Sequence, residues 1–231
     1  MIGFYDYTMF LTYMSLISAG TGIIVTLSGH GHPFIGIFFL MLSGFCDAFD
    51  GRVARTKKDR TPTEMKYGMH LDSLSDIVAF GVLPACIGSA LIKTSPFLDK
   101  SWHIYDGSVR AVVIHVILNA ILVFYVLCAL IRLAYFDVTE EERINKNEGP
   151  RKSYTGLPVT NSALIFPTVM LLQYITKIDI TLVYFVIALI TGFLFISKIK
   201  VVKAGLKGTL ICIGFGAVIF ALMLIYRYVI K

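Results

Sequence analysis

The sequence has 231 residues, of which 56% are hydrophobic, and its mean hydropathy is +0.76. This composition is far more apolar than a soluble domain of that size requires, so it excludes an ordinary soluble protein and predicts an integral membrane protein. The formal net charge of +6 comes from a few polar segments and gives no indication of nucleic-acid binding.

Seven apolar stretches follow one another along the chain, and a membrane-spanning helix needs about 20 such residues. They lie near residues 9–29, 33–55, 70–93, 109–137, 158–176, 180–197 and 208–229. Because lipid offers no hydrogen-bond partners to the backbone, each stretch is expected to be helical. We predict an all-α integral membrane protein with about seven transmembrane helices (six to eight) and a short N-terminal interfacial helix.

The first stretch contains several small residues, among them Ser15, Ser18 and Gly22. Small side chains let two helix backbones approach closely inside a membrane. This side of the helix is therefore predicted to pack against a neighbouring helix; a contact with substrate is the alternative interpretation.

The second and third stretches carry four aspartates on either side of a polar loop: Asp47, Asp50, Asp72 and Asp76. Residues three or four apart share one side of a helix, with Cβ atoms about 5–6 Å apart, so each pair forms one acidic surface. Charges inside a membrane helix are costly and by default suggest function. Converging carboxylates repel unless cations neutralise them, and Mg²⁺ and Mn²⁺ prefer oxygen ligands. The pattern predicts a metal site.

The polar segment 56–67 separates the two acidic stretches and contains Pro62. It is predicted to be a surface loop, with the third helix starting near Gly68. Its cations Lys57, Lys58 and Arg60 are interpreted as a topology signal and as contacts to lipid head groups.

Positive charge is concentrated in segments 52–68, 132–152 and 198–207, which hold 15 of the 21 Lys and Arg residues. Under the positive-inside rule these segments are cytoplasmic, which places the aspartates near the cytoplasmic surface. The same charge attracts anionic lipid head groups. We expect a multi-pass protein of the cell membrane with its site at the cytoplasmic face.

Arg132 ends the fourth stretch near the expected level of the aspartates. Such an arginine either extends to the head groups or binds an anion, and both interpretations stay open. Residues 138–153 are strongly charged and are predicted to be a solvated loop. The hydroxyl-rich segment 153–163 leads into the fifth stretch and could line a small-molecule pocket. The last two stretches are interpreted as scaffold or dimer surface.

Acidic ligands on two helices, at the lipid–water boundary and close to Arg55, suit phosphoryl chemistry on a lipid. Two metal ions about 3.5–4 Å apart stabilise the charge on the attacking and leaving oxygens of a phosphoryl centre. An arginine adds bidentate contact to phosphate oxygens.

Eight positions resemble the signature of the CDP-alcohol phosphatidyltransferases, D-x-x-D-G-x-x-A-R followed by G-x-x-x-D-x-x-x-D. They are Asp47, Asp50, Gly51, Ala54, Arg55, Gly68, Asp72 and Asp76. The 12 residues between Arg55 and Gly68 make a longer gap than is usual in the family. Within the family, residues 71–84 and, less completely, 130–163 are similar to the phosphatidylserine synthases. Thr160 departs from the later motif, where a second proline is common.

The resemblance implies a six-span core, often a homodimer, within a single membrane-embedded catalytic domain over 1–231. It also implies Mg²⁺ or Mn²⁺, as two ions, and a CDP-linked lipid as donor. Carried onto this sequence, the metal ligands would be Asp47, Asp50, Asp72 and Asp76. Gly51 and Ala54 would let the cytidine nucleotide approach the helix, Arg55 would contact its phosphates, and Gly68 would be a further substrate-binding residue.

The same resemblance implies that Asp76 also acts as the general base that takes the proton from the hydroxyl of L-serine. Arg132 and Lys152 are the candidates for binding the serine carboxylate. The expected products are phosphatidylserine, or an ether-lipid equivalent, and CMP.

Two other functions remain as alternatives. The acceptor could be glycerol phosphate, inositol phosphate or choline, since only the likeness at 71–84 and 130–163 selects serine. A divalent-cation transporter belongs to a different class, because buried aspartates also mark ion paths. It predicts carboxylates near mid-membrane, whereas here all four lie towards one edge.

Overall fold

A computed structural model describes residues 3–100, 102–146, 153–176, 178–202 and 206–228. The helices are α1 (Phe10–Leu27), α2 (Pro33–Ala54), α3 (Pro62–Asp76), α4 (Leu83–Thr94), α5 (Pro96–Lys100), α6 (Val109–Asn145), α7 (Ser162–Thr176), α8 (Thr181–Ile196) and α9 (Leu206–Tyr228). Single 3₁₀ turns, Tyr7–Met9 and Val159–Asn161, lead into α1 and α7. A π-helical segment, Ile77–Val82, joins α3 to α4 into one continuous helix.

Four helices of the described chain are long and apolar enough to cross a membrane: Tyr7–Leu27, Pro33–Ala54, Pro62–Thr94 and Val109–Ile144. Three shorter apolar helices follow, Val159–Gln173, Thr181–Ile196 and Leu210–Leu222. Many large apolar side chains face outward, as lipid contact requires; Val123 is 68% exposed. The prediction of an all-α, multi-pass membrane protein is confirmed.

The small residues of α1 pack against α2, as predicted. Ser15 and Ser43 exchange hydrogen bonds, each hydroxyl donating to the other residue's carbonyl at 3.3 and 3.0 Å. A Cβ added to Gly22 would lie 2.7 Å from the Cβ of Phe39, so the absence of a side chain sets the distance between the helices.

The continuous α3–α4 helix is the most enclosed of the long helices. In its most apolar window 67% of the residues are buried, against 33% for Tyr7–Leu27 and for Pro33–Ala54. Phe80, Leu83 and Ile87 are fully buried among α1, α2 and α6. The helix that carries the second acidic pair is therefore held by its neighbours on several sides.

The loop between the acidic helices is shorter than predicted, because α3 begins at Pro62 and not near Gly68. The hydroxyl of Thr61 accepts from the amide of Glu64, and the Glu64 carboxylate accepts from the amide of Thr61. Pro62 occupies the first helical position, where no N–H is needed. The prediction was wrong because it overlooked this capping box.

The predicted solvated loop at 138–153 is also wrong over its first part, since α6 continues to Asn145. Arg143 pairs with Glu140 one turn earlier, so these charges stabilise the helix. Further on, strand β1 (Ser153–Thr155) pairs antiparallel with β2 (Lys200–Val202). Strands of three residues show too little alternation to be predicted.

Candidate active site

The two acidic pairs face each other between α2 and α3. Carboxylate oxygens of Asp47, Asp50 and Asp72 lie within 4.8 Å of one another. Asp76, one turn further along α3, is near enough to Asp47 for the two carboxylates to interact electrostatically. Asp50 and Asp76 are each only 8% exposed. Helix packing thus brings three of the four predicted metal ligands together, with Asp76 one turn further along α3.

The chemistry of this cluster fits a hard divalent cation. The Oδ1 atom of Asp72 is buried and has no hydrogen-bond partner among the residues that the structure describes. A buried oxygen without a partner is costly, and so is the repulsion among neighbouring carboxylates. Binding of Mg²⁺ or Mn²⁺ by Asp47, Asp50 and Asp72, with Asp76 beside them, would remove both costs.

Helix α1 also reaches the cluster, which the sequence did not reveal. The hydroxyl of Thr12 donates to Oδ2 of Asp50 at 3.3 Å, and the hydroxyl of Ser75 donates to the Thr12 carbonyl at 3.3 Å. Thr12 therefore connects both acidic helices. The only sequence signal was a buried hydroxyl in an apolar stretch, which is too common to single out this residue.

Helix α6 supports the other side of α3. Asp137 accepts hydrogen bonds from the hydroxyl of Ser73 at 2.5 Å and from Nδ1 of His70 at 3.3 Å. Ser73 and His70 flank Asp72 in the sequence. Asp137 thereby helps to set the rotation of α3 that turns Asp72 towards α2.

Two arginines cover the two glycines predicted to belong to the substrate-binding site. A Cβ added to Gly51 would lie 3.6 Å from Nη1 of Arg55, and one added to Gly68 would lie 2.6 Å from Nη2 of Arg60. Each glycine lies one helical turn from an aspartate of the cluster, on the side nearer to the loop that connects α2 and α3. The space next to both glycines is occupied by cationic groups. Arg60 was not among the predicted site residues.

Arg132 is 7% exposed and lies among aromatic rings. Its guanidinium carbon is 5.1 Å from the ring centroid of Phe136 and 6.0 Å from that of Tyr154. It is near enough to Asp76 for the two charges to interact. This enclosed position does not suit extension to the lipid head groups, one of the two interpretations left open by the sequence.

The continuous α3–α4 helix changes from α-helical to π-helical directly after Asp76. Residues Ile77–Val82 are π-helical, and Pro84 lacks the N–H that would bond to the Phe80 carbonyl one turn earlier. The hydroxyl of Tyr125 donates to that carbonyl at 2.6 Å and shares a 2.8 Å hydrogen bond with the hydroxyl of Ser162. Three helices are thereby joined next to the site, where π-helical turns often occur.

The N-terminal segment holds the loop that precedes α3. Nζ of Lys57 lies 2.7 Å from Oδ2 of Asp6 and 3.3 Å from Oε1 of Glu64. The hydrogen bond to Asp6 raises the pKa of Lys57, and the same contact lowers the pKa of Asp6. Lys57, interpreted from the sequence as a topology signal, thus also positions the loop.

The remaining predicted positions are Ala54 and Lys152. Ala54 is the last residue of α2 and is half-buried, one residue before Arg55. Lys152 lies outside the described residues. The candidate site therefore rests on α2, α3 and the start of α1, with Arg132 entering from α6.

Comparison with known proteins agrees with this geometry. The model of the family described as CDP-alcohol phosphatidyltransferase matches residues 7–230. The CDP-diacylglycerol–serine O-phosphatidyltransferase of Saccharomyces cerevisiae is 36% identical over 143 residues, which are 61% of this chain and 43% of the yeast protein. The archaetidylserine synthase of Methanothermobacter thermautotrophicus is 27% identical over 167 residues, 72% of this chain and 59% of that protein.

A third relative is the CDP-diacylglycerol–serine O-phosphatidyltransferase of Methanocaldococcus jannaschii. It is 27% identical over 192 residues, which are 83% of this chain and 72% of that protein. The chain matches less than two thirds of the length of the yeast and Methanothermobacter proteins.

Proposed function

The chain belongs to the CDP-alcohol phosphatidyltransferase family, and on that basis we propose that it transfers the lipid-bearing phosphate of a CDP-linked lipid to the hydroxyl of L-serine. The serine oxygen forms a bond to phosphorus, the bond between phosphorus and the CMP oxygen breaks, and the hydroxyl proton passes to a carboxylate. The products are phosphatidylserine, or its ether-lipid equivalent, and CMP. The observation that carries the proposal is the convergence of the carboxylates of Asp47, Asp50 and Asp72 within 4.8 Å.

The aspartate cluster would hold Mg²⁺ or Mn²⁺, as two ions, with Asp76 as the fourth ligand. When bound, such ions stabilise negative charge on the phosphoryl oxygens and on the departing CMP. The chain itself keeps the carboxylates in place, through the hydrogen bond from Thr12 to Asp50 and the contacts of Asp137 beside Asp72.

Asp76 is assigned as the general base. A protonated hydroxyl is a weak nucleophile, so a carboxylate within hydrogen-bonding reach has to accept its proton as the oxygen attacks. Asp76 is buried at the edge of the cluster, close to Asp47 and to the positive charge of Arg132. That position, between the metal ligands and the proposed acceptor site at Arg132, supports the assignment of Asp76 as the base.

The donor nucleotide would lie against the loop ends of α2 and α3. Gly51, Ala54 and Gly68 present little or no side chain there, which allows the nucleotide to approach the helices. Arg55 lies over Gly51 and is free to contact the phosphates.

The acceptor carboxylate is assigned to Arg132 and Lys152. Arg132 combines a permanent positive charge with a buried position near Asp76, which suits a small anionic substrate. The names of the three relatives refer to serine or archaetidylserine, which supports serine over glycerol phosphate or inositol phosphate.

The proposal includes three features of the whole molecule. The chain would form a single catalytic domain, its site would lie at the cytoplasmic face, and two copies would form a homodimer. The concentration of Lys and Arg in segments 52–68, 132–152 and 198–207 supports the orientation.

The acceptor is tested by incubating the purified protein with CDP-diacylglycerol, Mn²⁺ and each labelled acceptor in turn. We expect incorporation of serine and release of CMP only when both substrates are present. Incorporation of inositol phosphate or glycerol phosphate without serine would replace the proposed acceptor and leave the reaction class unchanged.

The base is tested with Asp76→Asn, since an amide cannot accept the proton. We expect CMP release to fall by a factor of about 100 or more, within the range attributed to general-base catalysis. Asp59→Asn, in the exposed loop, is the matched control and should retain activity. Near-normal turnover of a folded Asp76→Asn protein would refute the assignment.

A further inference from the structure

Arg60 differs from Lys57 of the same loop in having no acidic partner among the residues that the structure describes. Within the described residues Lys57 pairs with Asp6 and Glu64, whereas no ion pair involves Arg60. Its Nη2 donates only a long hydrogen bond, 3.4 Å, to the carbonyl of Glu64. Its Nε is buried and has no hydrogen-bond partner in the same part of the chain. The guanidinium therefore retains donors for a ligand.

The guanidinium of Arg60 lies one helical turn from the metal cluster. Gly68 is four residues before Asp72, so a side chain at Gly68 would point to the same side of α3 as Asp72. Nη2 of Arg60 lies 2.6 Å from where that Cβ would be. Arg60 thus covers α3 one turn from the cluster, as Arg55 covers Gly51 on α2.

We infer that Arg60 is a second phosphate-binding residue, which together with Arg55 contacts the diphosphate oxygens of the CDP-linked donor. The inference rests on the proposed function. A guanidinium offers a planar pair of donors that matches phosphate oxygens, and two of them, lying over Gly51 of α2 and Gly68 of α3, would hold the donor from both sides. Lipid head groups carry the same phosphate chemistry, but Arg60 is partly buried against α3, which favours the nucleotide.

The same placement gives Gly68 a physical role. An added Cβ at 2.6 Å from Nη2 forces the arginine side chain to move, whereas at Gly51 the nearest atom of Arg55 would be at an ordinary contact distance of 3.6 Å. Gly68→Ala is therefore expected to act through displacement of Arg60.

The test compares the full-length wild-type protein with Arg60→Gln, Arg60→Lys and the control Lys58→Gln, which removes an exposed charge from the same loop. Binding of CDP with Mn²⁺ is measured by calorimetry in neutral detergent, together with Mn²⁺ binding alone and thermal unfolding. We expect Arg60→Gln to weaken CDP binding about tenfold or more, as the loss of a charge-assisted hydrogen bond predicts. Mn²⁺ affinity and the CDP affinity of Lys58→Gln should match the wild type.

Kinetics supply a second readout. Arg60→Gln should raise the KM for the CDP-lipid and leave the KM for serine unchanged, which a general loss of packing would not do. Arg60→Lys keeps the charge but not the planar pair of donors, so we expect it to bind CDP several-fold more weakly than the wild type. Arg60→Lys decides the question if Arg60→Gln does not fold.

Unchanged CDP affinity in folded Arg60→Gln or Arg60→Lys would overturn the inference and leave the proposed function intact. An effect that appears in anionic vesicles and not in neutral detergent would assign Arg60 to head groups and would also overturn it. Failure of the wild-type protein to bind CDP would overturn both the inference and the proposed function.

Discussion

The hydroxyl of Tyr125 donates a 2.6 Å hydrogen bond to the carbonyl of Phe80, one helical turn beyond Asp76. That carbonyl lacks its usual donor because Pro84 has no N–H. Tyr125 is fully buried, so no water competes for the carbonyl. A side chain of α6 thus completes the backbone hydrogen bonding of the helix that carries the proposed base.

Tyr125→Phe should therefore destabilise the protein and reduce turnover. Leaving the buried Phe80 carbonyl without a donor costs about 1–3 kcal/mol, and the segment beside Asp76 loses its support. Thermal unfolding and CMP release measure the two effects. Tyr105→Phe is the matched control, because its hydroxyl bonds to the Ile92 carbonyl at 3.2 Å from a residue that is 54% exposed. Equal unfolding temperatures for Tyr125→Phe and the wild type would contradict this prediction.

Asp72→Asn should change the stability of the protein both without metal and with Mn²⁺. In EDTA the variant should be at least as stable as the wild type, because it removes one of several converging negative charges. With Mn²⁺ the wild type should gain stability by mass action and the variant much less. The unfolding temperature in each condition measures both effects, and Asp59→Asn should behave like the wild type. A full Mn²⁺ gain in Asp72→Asn would remove Asp72 from the ligand set.

Gly44→Ala should destabilise the contact between α2 and α7. An added Cβ would lie 2.4 Å from the Cβ of Ala163, so the helices would have to separate. Overpacking of this kind costs about 1–3 kcal/mol. Gly20→Ala provides the control, since nothing lies within 4 Å of its added Cβ and alanine is the better helix former. Gly44→Ala should have a lower unfolding temperature than the wild type, and Gly20→Ala an equal or higher one. The reverse order would be inconsistent with this packing.

Asp179 joins the end of α4 to the start of α8. It accepts hydrogen bonds from the hydroxyl of Ser95 at 2.5 Å and from the amides of Phe97 and Thr181 at 3.0 and 2.9 Å. Partial burial acts to raise the pKa of Asp179, but these hydrogen bonds outweigh it and hold the pKa below its ordinary value.

The lowered pKa of Asp179 determines how the stability of Asp179→Asn should depend on pH. A carboxylate with a lowered folded pKa stabilises the protein above its unfolded value of about 3.9, and the contribution is lost as the pH falls through the folded pKa. Asp179→Asn should be less stable than the wild type near neutral pH, and the difference should shrink below about pH 4. Unfolding temperatures measured across this range test the prediction, with exposed Asp99→Asn as control. A stability difference that grows as the pH falls would contradict a lowered pKa of Asp179 in the folded protein.

Local spacing was sufficient to pair Asp47 with Asp50 and Asp72 with Asp76, because the side of a helix on which a residue lies depends only on its near neighbours. The errors at the ends of α3 and α6 had a different origin. The Thr61–Glu64 capping box and the Arg143–Glu140 pair are helix signals made of polar residues, and polarity alone had been interpreted as loop.

By itself the sequence determined that the protein lies in a membrane, roughly where its helices run and which carboxylates share a helix surface, since apolar length and helical period are properties of local order. Only the tertiary structure decided that Thr12 reaches Asp50 and that Tyr125 reaches Phe80, across separations of 38 and 45 residues. Those contacts depend on how helices pack and rotate against one another, and side-chain shape across the whole core sets that arrangement.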